Sequence, residues 1–479
     1  MGETIRIGAL TEDERVTLGF LLDQLEKKKR RNLLRSSYYD GRRAVKQIGM
    51  TLPPQYRNIG LALGWAAKGV DGLARRCNID KFVWPKGDLD ALGMPELEDS
   101  NFLQSELAQA RTDSLIHGVS YLITTRGVEE DGEPPVLVHA KDGLNATGEW
   151  NTRKRALDSL LSVTSREDNR VTGFVLYLDN ETINADKVDG QWTVDRSEHT
   201  FHVPADPLVY RPRASRRMGR SRITRAVMSH VDSALRELLR LEAHMDIYSI
   251  PKLFLLGADE SIFKNPDGSL KPAWQMVFGR AFGIPDADPE ESDNTRADVK
   301  QFDAQSPQPH LADLNALAKL MARETDLPDS DFALTDMANP TSGDSYTASR
   351  ENLIAEAEGA TDDWSVGIRK TVHRALAMQN GLTEVPKEWR SIAPKWRSPI
   401  YLSRAAEADA GGKQLAAVSW LAETEVGLEL IGLDEQQISR ALAQKAAAER
   451  AAAGRALVAN LRPAAAQAAA PAQADVVAG

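Results

Sequence analysis

Apolar positions over residues 11–35 recur at helical spacing: Val16, Phe20, Leu21 and Leu25, then Leu33 and Leu34. Thr11 with Glu14 three residues later forms a capping box, in which each side chain accepts from the other's backbone N–H. The pattern predicts a helix over 11–35. Residues 58–76, with Ile59, Leu63, Val70 and Leu73, predict a second. A third is expected over 100–117, stopped by Gly118. From residue 119 the pattern shortens. Segments 119–125, 135–140, 160–164, 171–178, 192–194 and 201–209 are rich in β-branched and aromatic residues and separated by turn formers, as in an antiparallel meander. The first part of the chain therefore reads as an α+β unit.

A long helix is predicted over 221–249, with Ser221 as N-cap and Pro251 as its stop. Ile223, Val227, Val231, Leu235, Leu238 and Leu241 are its apolar positions, and Arg236, Glu237, Arg240 and Glu242 lie between them. At helical rise it spans about 40 Å, long for a compact domain. Residues 252–256 look like a strand, and 259–303 are irregular, with a short helix over 274–282 and an acidic, Pro-rich run over 285–298. Helix resumes over 309–325, with Leu311, Leu314, Leu317 and Leu320 on one stripe, so two helices flank an insertion. A polar loop over 326–345 precedes a helix over 346–380, in which Gly359 and Gly367 are candidate bends. Short helices follow over 403–444. Alanine dominates from 441, helical through Leu461, with Pro463 and Pro471 punctuating a disordered tail.

The 479 residues are 42% hydrophobic and 27% charged, enough for a sizeable core or several modest domains. The one cysteine, Cys77, has no internal disulfide partner, which fits a reducing compartment. Nothing approaches the ~18 consecutive apolar residues of a membrane span, and the first ten residues lack the order of a secretory signal. The expectation is a chain that neither spans a membrane nor is secreted. Net charge is −10, where a protein that grips DNA usually carries a basic surplus. Either nucleic acid is irrelevant, or it passes without sticking along a wall that repels a polyanion.

Catalytic signatures fail on inspection. Gly411-Gly412-Lys413 is followed by Gln414, so a phosphate-cradling loop lacks its hydroxyl, and Gly64, Gly69 and Gly72 have the wrong spacing for a dinucleotide fingerprint. His199 and His202 have no placed third metal ligand, and Ser120 lacks the second glycine of a nucleophile elbow. Asp329, Asp331 and Asp336 suggest a two-metal nuclease only if a rigid strand supports them, and they sit in a loop. No catalytic, cofactor or metal residue is predicted, and the chain does not read as an enzyme. Two basic clusters stand out. Lys27, Lys28, Lys29, Arg30 and Arg31, with Arg35, Arg42, Arg43 and Lys46, form either a patch for phosphate or an acidic neighbour, or a solvated helix end. Arg211, Arg213, Arg216, Arg217, Arg220, Arg222 and Arg225 precede the long helix and would contact phosphate or, preferably in a net-acidic chain, a neighbouring subunit.

Several segments in order resemble the portal (head-to-tail connector) proteins of tailed phages, especially those of actinobacterial phages. They are Tyr38-Tyr39-Asp40-Gly41; His117-Gly118-Val119-Ser120-Tyr121-Leu122; Pro207-Leu208-Val209-Tyr210-Arg211 leading to Gly219-Arg220-Ser221-Arg222-Ile223; and Glu324-Thr325-Asp326-Leu327-Pro328 followed by Asn339-Pro340-Thr341-Ser342-Gly343. The resemblance implies a mainly helical α+β subunit: an α/β wing over 1–220, a stem helix over 221–250, a clip over 251–308 and a second stem helix over 309–326. A tunnel loop over 327–345, a kinked helix with wing return over 346–400, a helical crown over 401–462 and a tail over 463–479 complete it. It implies a ring, usually of twelve subunits, at a capsid vertex of the virion, assembled in the bacterial cytoplasm. Double-stranded DNA would pass without sequence readout. Large terminase, major capsid or scaffold protein and a head-completion adaptor would dock, with no membrane and no cofactor. Asp336, Asn339, Thr341, Ser342, Gly343, Asp344 and Ser345 would line the channel, and Arg213, Arg216, Arg217 and Arg220 would meet a neighbouring subunit or phosphate. The alternatives are another virion structural or minor capsid protein, or a metal-dependent nucleic-acid enzyme.

Overall fold

The computed structural model describes residues 7–42, 60–128, 130, 132–248, 252–256, 265–269, 298–302, 305–333, 350–401 and 404–468. The chain divides into two compact units, residues 1–399 and 400–479.

Helix α1 (Glu12–Tyr39) starts at the expected capping box, with the Thr11 amide donating to Glu14 at 2.9 Å and the Glu14 amide donating to Thr11 Oγ1 at 3.4 Å. Its buried face differs from the expectation. Leu18, Leu21, Leu22 and Leu25 are buried, whereas Val16, Phe20, Leu33 and Leu34 stay exposed. The helix carries two apolar faces, and the sheet beneath it covers one. Helix α2 (Trp65–Ala74) and strand β1 (Ile79–Val83) follow. The helix expected over 100–117 is in fact two, α3 (Met94–Asn101) and α4 (Leu103–His117). Phe102 breaks them with a left-handed φ of 47°, a turn that buries both Leu97 and Leu103.

Eight antiparallel strands come next: β2 (Val119–Arg126), β3 (Val136–Lys141), β4 (Ala146–Asn151), β5 (Ala156–Glu167), β6 (Arg170–Leu178), β7 (Glu181–Val188), β8 (Gln191–Glu198) and β9 (Ala205–Val209). They form a three-stranded sheet, order β3-β2-β9, and a five-stranded meander, order β4-β5-β6-β7-β8. The expected single meander is therefore two sheets, and β4 and β7 were not foreseen. Along β5 and β6 the side chains alternate. Leu160 and Tyr177 pack with Tyr121 and Ile123 of the small sheet, while Leu161 and Leu176 pack with the α1 leucines.

Helix α5 (Arg225–Tyr248) starts later than expected. Ser221 is not its cap: the Ser221 hydroxyl donates to Ile116 O at 2.6 Å, and Thr224 Oγ1 instead accepts from the Val227 amide at 3.3 Å. Strands β10 (Lys252–Leu256) and β11 (Asp298–Phe302) pair antiparallel with Lys252 opposite Phe302, closing the base of the insertion. The helix expected over 274–282 lies outside the described residues. Helix α6 (Gln308–Thr325) returns antiparallel to α5, since Glu237 meets His310 at 2.6 Å and, further along α5, His244 meets Gln305 O at 3.0 Å. Helix α7 (Glu351–Gln379) is continuous through both glycines. Gly367 serves close approach: a Cβ there would lie 3.0 Å from Pro207 O of β9. Strand β12 (Ala393–Trp396) pairs with β1. The largest core gathers α2 to α7 around Trp364, whose indole N–H donates to Ser114 at 3.1 Å.

The second unit holds α8 (Arg404–Ala417), α9 (Glu425–Leu430) and α10 (Glu435–Ala468). Its helices meet at Gly411, where an added Cβ would overlap Leu430 O. Helix α10 runs through Pro463, which the sequence placed at the start of a tail, because the flanking alanines are the strongest helix formers. Ile438 is its one buried large apolar side chain among the described residues, and Trp420 is 69% exposed.

Candidate functional site

Two glycine-bearing motifs meet where α5 begins. A Cβ at Gly118 would lie 3.1 Å from the Ser221 amide nitrogen, and one at Gly219 would overlap Gly118 O and Tyr210 O. Both glycines have positive φ, 97° and 64°. The contact closes with backbone hydrogen bonds from Tyr210 to Gly118 O at 3.1 Å, from Arg220 to Tyr210 O at 2.8 Å and from Arg222 to Leu115 O at 2.8 Å. Residues 211–222 are thereby held as a loop of fixed shape, with Arg213 and Arg216 bridging backbone to backbone at its turn.

The loop sorts the arginine cluster by role. Arg222 is buried, and donates to Gly69 O of α2 at 2.6 Å, to the Tyr210 hydroxyl at 3.0 Å and to the Thr325 carbonyl at the end of α6. Tyr210 and Arg211 both donate to Glu356 of α7, and Arg211 lies 3.7 Å from Asp326. This charge-assisted network ties the roots of α5 and α6 to α2 and α7. Burial, above all, pushes the Tyr210 phenol above its ordinary range.

Arg216, Arg220 and Arg225 turn the other way. With Lys27, Arg30, Arg31 and Arg35 of α1 they line a groove of about 680 Å³, shared with Leu34, Ile223 and Met228, and no carboxylate lines it among the described residues. Part of each basic cluster of the sequence thus shares one surface. Its charges repel one another. Burial, then Arg31 and Arg216, bring Arg35 down to about 10, and burial, then Arg31, bring Lys28 down to about 8. Arg216 is lowered by burial and by Arg31, Arg213 and Arg220. Lys27 pairs with Asp23 at 2.5 Å, but Arg30, Arg31, Arg216, Arg220 and Arg225 have no ion-pair partner among the described residues. Such a cluster is relieved by an anion.

Of the other expected contacts, Arg217 lines a separate cavity of about 210 Å³ with Trp150 and Val366, and Arg213 is exposed. Asp336, Asn339, Thr341, Ser342, Gly343, Asp344 and Ser345 lie outside the described residues. Asp331 sits 3.7 Å from Lys68 and 3.9 Å from Arg350, and His202 pairs with Asp179 at 2.6 Å. No group of three metal-binding side chains occurs among the described residues. Cys77 is buried, which pushes its thiol up to about 12. Glu356 was missed from sequence, although an acid beside Leu353, Ala357 and Ala360 on the buried side of a helix was its signal.

A family model described as "Phage portal protein, SPP1 Gp6-like" matches residues 18–451. The portal protein of Mycobacterium phage D29 is 26% identical over 386 residues, covering 79% of this chain and 77% of that one. The portal protein of Mycobacterium phage L5 is 24% identical over 393 residues, with the same coverage. Among solved structures, the virion of a native gene transfer agent particle aligns at 15% identity and TM-score 0.41, covering 77% of this chain and 89% of that one. The neck of the same native particle, computed with C12 symmetry, aligns at 14% identity and TM-score 0.42 with 77% and 89% coverage. With most of its length matched by that family, the chain belongs to the SPP1 Gp6-like phage portal proteins.

Proposed function

We propose that this chain is one subunit of a closed ring at a capsid vertex, the channel through which double-stranded DNA is packaged and ejected. The observation that carries the reading is the antiparallel pair α5 and α6, locked at its root by Arg222 and leading to a small insertion. Leu320 stays exposed on the pair, and Trp420 stays exposed in a second unit whose one buried large apolar side chain among the described residues is Ile438. These are faces that copies arranged about an axis would cover. Twelve copies is the number that the family resemblance implies.

The role is mechanical, without bond chemistry. A net charge of −10 suits a wall along which a polyanion slides. In this reading the insertion over 251–308 faces the terminase and later the head-completion adaptor, and the unit over 400–479 faces the capsid interior. Asn339, Thr341, Ser342 and Ser345, polar and uncharged, touch passing phosphates through weak hydrogen bonds, flanked by Asp336, Gly343 and Asp344. Deleting residues 339–343 tests this. Rings should still assemble, while packaging or retention of DNA fails; normal phage yield with full DNA content would contradict it.

A further inference from the structure

We infer that the basic groove between α1 and the loop before α5 is filled by the acidic outer face of α7 from a second copy of this chain. The inference rests on the ring reading and names the contact that closes it.

The groove's own helix argues for a protein occupant. Val16, Phe20, Lys27, Arg30, Arg31 and Leu34 fall on one face of α1 at helical spacing. Val16 is 64% exposed and Phe20 48%. Phosphate contacts call for cations and hydrogen-bond donors, and exposed apolar side chains beside them add nothing. A protein face that pairs charge with an apolar patch uses both. Several free arginines per copy, repeated around a ring, would also bind duplex DNA through release of many counterions and hold it.

Helix α7 carries the complement. Glu351, Glu358 and Asp362 are exposed and share one face, followed by Val366, also exposed. None of the three carboxylates has an ion-pair partner among the described residues. The acidic side chains that α7 does neutralise within the chain lie elsewhere on it, as with Glu356 and Arg211. The order along α7 is acidic, then apolar at Val366, then basic at the exposed Arg369, and along α1 apolar then basic. Copies with a net charge of −10 repel at a distance. Contact faces of opposite local sign offset that repulsion. A ring joins two different patches head to tail, and one basic face with one acidic face per copy suits such closure.

The test is charge exchange in the full chain, read by native mass spectrometry, with circular dichroism confirming the fold. R30E with R31E should weaken each contact by about tenfold or more, about 1.4 kcal/mol, and so lower the ring fraction by at least that factor. Adding E358R with D362R to that variant should restore rings. Rings unaffected by R30E with R31E would overturn the inference and leave the ring reading intact, as would rings lost and not restored by the exchange. So would intact rings whose affinity for a blunt DNA duplex falls sharply in the variant, which would give the groove to DNA. A wild-type chain that forms no ring would overturn the ring reading itself.

Discussion

Arg222, just before α5, donates to the carbonyl of Thr325, the last residue of α6. The guanidinium thereby fastens the start of one rod to the end of the other, where the helix dipole offers partial negative charge. The same group reaches Gly69 O at 2.6 Å and the Tyr210 hydroxyl at 3.0 Å. Removing it strands several buried acceptors at once.

Arg222→Met should therefore cost about 3 kcal/mol or more in urea unfolding, the scale of a broken buried charge network. Arg222→Lys keeps the charge, but its single ammonium cannot span Gly69, Tyr210 and Thr325 together, so most of the loss should remain. A change under about 0.5 kcal/mol, typical of surface sites, would mean that the network is dispensable.

Gly219→Ala places a Cβ against Gly118 O and Tyr210 O at a φ of 64°. The expected loss exceeds about 2 kcal/mol, strain and overlap combined. Gly132→Ala, at a φ of 79° with open space around it, carries the backbone penalty alone and is the control. Equal melting temperatures for the two variants would contradict the close packing.

Burial pushes the Asp113 carboxyl up to about 7, with the Asp142 charge adding to the effect. The unfolded chain titrates it near about 3.9. The native state holds the proton more tightly, so this group's contribution is full below about 4, declines as pH rises and is lost above about 7. Asp113→Asn removes the titration. Its melting temperature, relative to wild type, should rise between pH 5 and pH 8. A constant difference would place the carboxyl in an ordinary environment.

Cys77 is buried, with its thiol up at about 12. Ellman's reagent should leave the native protein unlabelled and react fully in denaturant, since the thiolate is the nucleophile. Rapid labelling of the native chain would contradict the packing of Cys77 against Ala357 of α7.

The legible parts were local ones. The Thr11–Glu14 box announced α1 because both partners lie within one turn. Helix α6 was read nearly to the residue. What escaped was decided at long range. Val16 and Phe20 looked like core because α1 has two apolar faces, and only the five-stranded sheet selects one. Strand β7 was missed because Glu181–Val188 buries just Ile183 and Ala185 among polar neighbours. Seven arginines looked like one cluster; Arg222 goes inward to the carbonyls and Arg216 outward to Arg31 only because Gly118 and Gly219 fix the loop.

Native mass spectrometry of the purified full chain tests the central claim most directly. The account expects one closed oligomer, twelve copies of the 52.6 kDa chain, with dispersed smaller species minor. A stable monomer at micromolar concentration, with α5 and α6 protected from hydrogen exchange along their whole lengths, would contradict it.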